Sequence, residues 1–396
     1  MSEACDVLVA GGGVAGVAAA VASARAGCRT VLLERGARLG GIGTRGMLRT
    51  ICGLYGTGSD LPTETLNGGI SREIAAALNA CSPQRKATKV GRVFVLPYDS
   101  DELAAVCDDL CKKERHLTVR LTTETISTVV EQGLVIEIVV RSSDTEDRIR
   151  PAAVIDCTGS GELAVQAGAG SDIASPEERQ LDGFTVRVTG IEKAGEALAL
   201  KVPYVLAEAV KDGELPFPLR FTTFSKGDAE GEGYLKFSVA GNDAAGADHE
   251  VRAAFATLQQ NLPAFRHAVI AGMSGVLERE GRRIRGEYQL TAEDVLSAKK
   301  FTDGIAKNAW PIELWDRSKG TVYRYVPDGE HYDIPFRCLV VQGIKNVLVA
   351  GRCISVSHEA LGSTRVMGAC MAMGEAAGRA AAGLVKEGKY KEGKNL

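Results

Sequence analysis

The chain has 396 residues, 45% hydrophobic and 24% charged, which is long for a single compact core and predicts two domains. A formal net charge of −3 gives no bulk attraction to nucleic acid or to an anionic membrane, so neither is expected as a partner. Five histidines and ten scattered cysteines without a CxxC pair argue against a metal site and for reduced thiols in a cytoplasmic protein.

The opening stretch DVLVAGGGVAGVAAAVASARAGCRTVLLER, Asp6 to Arg35, is almost wholly apolar. It has no basic leader before it and is built from Gly, Ala and Val, so neither a signal peptide nor membrane insertion is predicted. Divided at its glycines, it reads as a strand over Asp6–Ala10, a turn Gly11-x-Gly13-x-x-Gly16, and a helix from Val14 to Ala26 ended by Gly27. A second strand, Thr30–Leu33, ends at Glu34. This is a βαβ unit with an acid about 20 positions beyond the glycines, the fingerprint of a dinucleotide site. Gly11 permits the tight turn, Gly13 admits the backbone to a pyrophosphate, and Gly16 lets the helix press on the strand. The helix start at Val14 and Ala15 offers free N–H groups to phosphates. Glu34, with Arg35 beside it, is placed to accept hydrogen bonds from ribose hydroxyls.

Next, ERGARLGGIGTRGML carries Gly40, Gly41 and Thr44 just beyond the second strand. This resembles the glycine-rich extension that follows the acid in glutathione-reductase-like FAD enzymes. The pair Asp99 and Glu102 forms a capping box for a helix over Asp101–Glu114, followed by a strand over His116–Leu121. Alternating Val and Ile on either side of Gln132-Gly133 predict a β-hairpin, whose first strand carries Ile126, counted with the cofactor-binding set. A buried strand, Ala153–Asp156, then closes on Cys157-Thr158-Gly159, a triplet similar to the one by which such enzymes return to the cofactor.

Between Gly168 and Pro327 the pattern changes to short strands and a helix that begins near His249 and is interrupted by Pro263, running on to Met273. Ser225–Gly233 reads as an exposed loop, and Arg282, Arg283 and Arg285 as a solvated basic strand face. No second βαβ fingerprint lies between Gly161 and Gln342, so no NAD(P)H domain is expected. Near the C-terminus a strand over Asn346–Ala350 leads through Gly351-Arg352 to a small-residue helix that begins at Val366 and Met367. Its N-terminus would aim a positive dipole end at the pyrimidine edge of a flavin. The charged tail KEGKYKEGKNL is expected to fray.

Taken together, GGGVAGVAAAVASARAG, RLGGIGTRGML, VIDCTGSGELAVQAGA, YDIPFRCL and LVAGRCISVSHEALGSTRVMGACMAMGEAAG resemble, in order, the FAD-dependent oxidoreductases related to the flavoprotein subunit of fumarate reductase and succinate dehydrogenase. The resemblance implies FAD and a Rossmann-like α/β domain formed by residues 1–168 and 328–396. It also implies an inserted α+β capping domain over 169–327. By the same resemblance, His358, Arg365 and His331 would hold a carboxylate over the flavin, with Glu359 orienting His358 or capping the loop. Cys52 lacks a partner at short spacing, which argues against a dithiol mechanism. The expected activity is hydride transfer between flavin N5 and a small carboxylate-bearing substrate, with an external electron acceptor. Two alternatives stand beside it: an electron-relaying flavin subunit, and a nucleotide-binding protein without redox turnover.

Overall fold

A computed structural model describes residues 2–143, 145–240 and 244–390. Strands Ser2–Ala10 and Thr30–Leu33 run parallel, Val7 opposite Thr30, and helix Val14–Arg25 connects them as the glycine spacing predicts. Val7–Ala10 and Thr30–Leu33 are buried throughout, and this is why they read as continuous apolar runs and not as alternation. Leu117–Arg120 adds to one side and Thr145–Asp156 to the other, both parallel. Thr145–Asp156 is longer than the predicted Ala153–Asp156 because it serves further neighbours. Its first residues pair antiparallel with Leu134–Ser142, and its last pair parallel with Val347–Val349. Gln132 (φ 51°) and Gly133 (φ 77°) close the hairpin between Thr123–Glu131 and Leu134–Ser142, completing a seven-stranded sheet. Asp99 and Glu102 form the expected capping box on helix Ser100–Lys112.

Helix Met367–Glu387 lies against Val14–Arg25 at backbone contact. A Cβ on Gly374 would sit 2.0 Å from the Ala15 carbonyl oxygen, and one on Gly378 2.2 Å from that of Ala19. That closeness is what the run of small residues permits. The tail does not fray as far as Tyr390, whose hydroxyl donates to the Lys345 carbonyl at 3.1 Å; residues 391–396 lie outside the described residues.

A second sheet, antiparallel throughout, is ordered Thr223–Lys226, Gly233–Val239, Asp182–Thr189, Val269–Leu277, with helices Leu198–Lys211 and Ala244–Asn261 packed on it. Pro263 does end the predicted helix. The residues after it, read from sequence as its continuation, instead form the edge strand Val269–Leu277, paired with Asp182–Thr189. The loop expected over Ser225–Gly233 is shorter, because Thr223–Lys226 and Gly233 pair as strands. Buried Glu232 pins the remainder through the Asp228 and Ala229 amides and Arg187 (2.6 Å). This sheet and its helices enclose a separate core that runs from Phe184 to Ala268, whereas Ile284, Leu290, Val295 and Ile312 pack into the main core. The second core therefore spans fewer residues than the expected 169–327. Among the described residues no helix is long and apolar enough to cross a membrane.

Candidate functional site

A cavity of about 760 Å³ extends from the end of the first strand to the inserted sheet. At one end, Gly11 (φ 99°) turns the chain, and a Cβ there would lie 2.5 Å from the Cys157 carbonyl oxygen. Gly16 presses the helix onto that turn, where a Cβ would meet the Gly11 carbonyl oxygen at 1.8 Å. Gly13 differs: a Cβ there would have nothing within 4 Å and would project into the open cavity. Val14 and Ala15, at the N-terminus of the helix, line the same wall. Glu34 is held by the Gly12 and Gly36 amides, one on each carboxylate oxygen at 2.7 Å. Each oxygen keeps a lone pair for a further donor. Open backbone at Gly13, unpaired first-turn amides and a fixed carboxylate fit a dinucleotide.

Arg35, Gly40, Gly41, Thr158, Gly159, Gly351, Arg352, Val366 and Met367 also line the cavity. Arg352 fixes the neighbouring turn by donating to the Gly159 carbonyl at 2.9 Å and pairing with Glu278. Gly16 and Thr44 stand behind the wall: Thr44 donates to the Leu39 carbonyl at 2.8 Å and holds the glycine turn. Ile126 is not on the wall; the preceding residues Thr123, Glu124 and Thr125 are. Asp156, which sequence reasoning missed, organises the turn after strand Thr145–Asp156. Its carboxylate accepts from the Thr158 amide (2.9 Å) and hydroxyl (2.7 Å) and from the Ala164 amide (2.8 Å).

The far end of the cavity carries charge. Lys236, Arg279, Glu313, Trp315 and Arg365 share the wall with Cys52. The Arg279 guanidinium lies over the Trp315 ring at 3.8 Å, and Lys236 Nζ lies over the same ring at 4.8 Å. Glu313 accepts from both indoles, Trp315 at 2.8 Å and Trp310 at 3.1 Å. Burial alone would raise its carboxyl, but Arg365 and Lys236 outweigh that and hold it below the usual range. Arg365 donates to the Glu313 carbonyl at 3.1 Å, and Arg279 to the Leu181 carbonyl at 2.6 Å. Arg365 Nε and Arg279 Nη2 remain buried without an acceptor. Burial lowers both guanidiniums, helped by Arg365 at Arg279 and by Arg352 at Arg365, yet delocalisation keeps them charged at neutral pH. Burial pushes the Cys52 thiol up to about 12, so it stays protonated.

Of the three residues expected to hold substrate, Arg365 alone is on the cavity wall. His331 lies beside Asp333 at 3.8 Å, off the wall, and is lowered by burial and by Lys300. His358 is off the wall too, because its Nδ1 is drawn 2.7 Å from the buried carboxylate of Glu280. Glu359 does not orient it, pairing instead with Arg324 at 3.1 Å, and Ser357 provides the helix cap. Nor do the three arginines form a solvated face. Arg283 is buried against Glu280 at 2.6 Å, Arg282 lines the cavity, and Arg285 alone is exposed, paired with Asp172.

The hydrogen bond to Glu280 raises His358, against the cost of its burial. A raised histidine stabilises the fold fully below the unfolded value near 6.5, and that contribution fades as pH rises through the folded value. His358→Ala is therefore expected to lower Tm by a few degrees near pH ~6 and by clearly less near pH ~9, read from thermal melts in parallel buffers.

Lys236, Arg279, Glu313 and Trp315 were absent from the sequence reading. A lone Lys in the apolar strand GYLKFSV and an Arg ahead of the basic run were the signals present. The family model described as FAD dependent oxidoreductase matches residues 6–392. None of the curated proteins compared with the chain matches it. Among solved structures, a geranylgeranyl bacteriochlorophyll reductase-like protein from Thermoplasma acidophilum is similar at 13% identity, TM-score 0.52, over 99% of this chain and 81% of that one. The p-nitrophenol 4-monooxygenase PnpA from Pseudomonas putida is similar at 12% identity, TM-score 0.52, over 98% and 82%. The flavin-dependent brominase Bmp2 is similar at 14% identity, TM-score 0.53, over 98% and 81%. At these identities the likeness is one of fold.

Proposed function

Since the chain belongs to the FAD dependent oxidoreductase family and is an enzyme with FAD as its cofactor, we propose that it moves two electrons between that cofactor and a small anionic substrate, a carboxylate. FAD, when bound, supplies the hydride acceptor and donor. Gly13, Val14 and Ala15 hold its pyrophosphate, Glu34 its ribose, and the helix start at Val366 and Met367 faces the ring system. The motif LVAGRCISVSHEALGSTR supports kinship with fumarate reductase flavoproteins as the source of this orientation. An external acceptor completes the cycle, and ten unpaired cysteines support a reducing, cytoplasmic setting.

The observation that carries the substrate reading is the convergence of three cations, Lys236, Arg279 and Arg365, with one carboxylate, Glu313, at one end of the cavity wall. That end has a positive surplus that an anion would neutralise. A carboxylate there would gain charge-assisted hydrogen bonds from the guanidiniums. The chain's own residues thus bind and orient the carboxylate, while the indole of Trp315 keeps water from the guanidinium it covers. The test is anaerobic titration of the yellow protein with small carboxylates and with their amides. Carboxylates are expected to perturb or bleach the flavin spectrum where the amides do not; equal effects from both would overturn the reading.

A further inference from the structure

The reading above assigns anchors but no group to carry the proton that accompanies a two-electron step. We propose that Lys236 exchanges that proton, so that the substrate is a carboxylate with an O–H or N–H on the carbon next to it, a 2-hydroxy or 2-amino acid or the corresponding 2-oxo or 2-imino acid. The proposal rests on the anion-binding reading of the same cavity.

Three observations support it. First, Lys236 is the one lysine on the wall among the described residues, and its Nζ lies over the Trp315 ring at 4.8 Å. Strand Gly233–Val239, paired on both sides through Lys236 itself to Thr185 and Thr223, holds its backbone rigidly. Second, its ammonium and the Arg279 guanidinium stand over the same Trp315 ring, 4.8 and 3.8 Å from its centre, which places the amine beside an anchoring cation at one end of the cavity. Third, the other groups facing Lys236 cannot exchange a proton near neutral pH. Arg279 and Arg365 stay charged, Glu313 stays ionised with both oxygens on indoles, and the Cys52 thiol stays protonated. Both histidines that were expected to hold the carboxylate lie off the wall. Burial first, and then repulsion by Arg279, lower the Lys236 ammonium to about 8, offset in part by Glu313. A group poised there can both accept and return a proton under working conditions.

The balance is complete for oxidation. The heteroatom's proton passes to neutral Lys236 Nζ, the C–H bond breaks with its electron pair leaving as hydride to the flavin, and the carbon–heteroatom bond becomes double. Reduction reverses each transfer. The guanidiniums anchor the carboxylate throughout and exchange nothing.

Two measurements on the FAD-loaded protein test this. Trace acetylation across pH, read at each lysine by peptide mass spectrometry, is expected to give Lys236 a midpoint near 8, about two pH units below exposed lysines. Titration at the ordinary lysine value overturns the proposal. Separately, Lys236→Met is expected to slow flavin bleaching by 2-hydroxy or 2-amino acids about a hundredfold and to flatten its pH profile. Oxalate, a carboxylate with no transferable hydrogen, should still perturb the flavin spectrum of that variant. Bleaching with an unchanged rate and pH profile overturns the proposal while leaving carboxylate binding intact. If oxalate and the acids leave the wild-type spectrum unmoved, the anion-binding reading falls and this one with it. Hydroxy and amino acids are separated by which of the two bleaches the wild type.

Discussion

Gly13→Val is expected to yield a folded protein that no longer holds FAD. Gly13 sits at φ −65° and ψ 175°, an extended backbone that valine adopts readily. Its Cβ position has no atom within 4 Å, so the added side chain projects into the space open to the pyrophosphate. A loss of at least about a hundredfold in affinity, roughly 2.7 kcal/mol, follows from displacing the phosphates from the helix amides. The measurement is FAD released on acid precipitation, together with an FAD titration of the apoprotein. The melt of the apoprotein should stay within a few degrees of wild type. Gly16→Ala provides the contrast. Its Cβ would strike the Gly11 carbonyl oxygen at 1.8 Å, and the damage should appear in the melt of the apoprotein itself. A valine variant that purifies with stoichiometric FAD would contradict the assignment of this end of the cavity.

Arg365→Met is expected to weaken carboxylate binding about a hundredfold, roughly 2.7 kcal/mol, without loss of FAD. Methionine fills much of the same volume, so packing against the start of helix Met367–Glu387 is largely kept. What disappears is the unpartnered Nε and the cation that holds Glu313 ionised. The carboxylate of Glu313 should then titrate higher, which makes residual binding more sensitive to pH. Neutral amide analogues should bind the variant and the wild type alike. An unchanged carboxylate affinity would remove Arg365 from the anchor set and leave Arg279 alone in that role.

Much of the cofactor end was legible because it is local. Strand, glycine turn, helix and acid follow one another within Asp6–Glu34, and the demands on Gly11 and Gly16 come from atoms of that turn or from the strand beside it. The capping box at Asp99 and the hairpin at Gln132-Gly133 were legible for the same reason, since each is a few residues of backbone geometry. Ile126 missed the wall by one residue, since the lining stretch of its strand is Thr123, Glu124 and Thr125.

The charged end of the cavity was legible only at Arg365, through its motif. Lys236, Arg279 and Glu313 come from distant parts of the chain, and each alone resembles an ordinary surface charge. His358 looked like a ligand by its place in a motif, yet a buried carboxylate 78 positions away, Glu280, turns its ring off the cavity wall. Arg283 looked solvated until the same carboxylate buried it. The sequence by itself determined the dinucleotide cradle and the α/β architecture around it, because short-range backbone sterics and helix amides decide those. Only the tertiary structure decided which charges face the cavity and how burial shifts them, because burial and like-charge repulsion depend on neighbours that the chain brings together by folding.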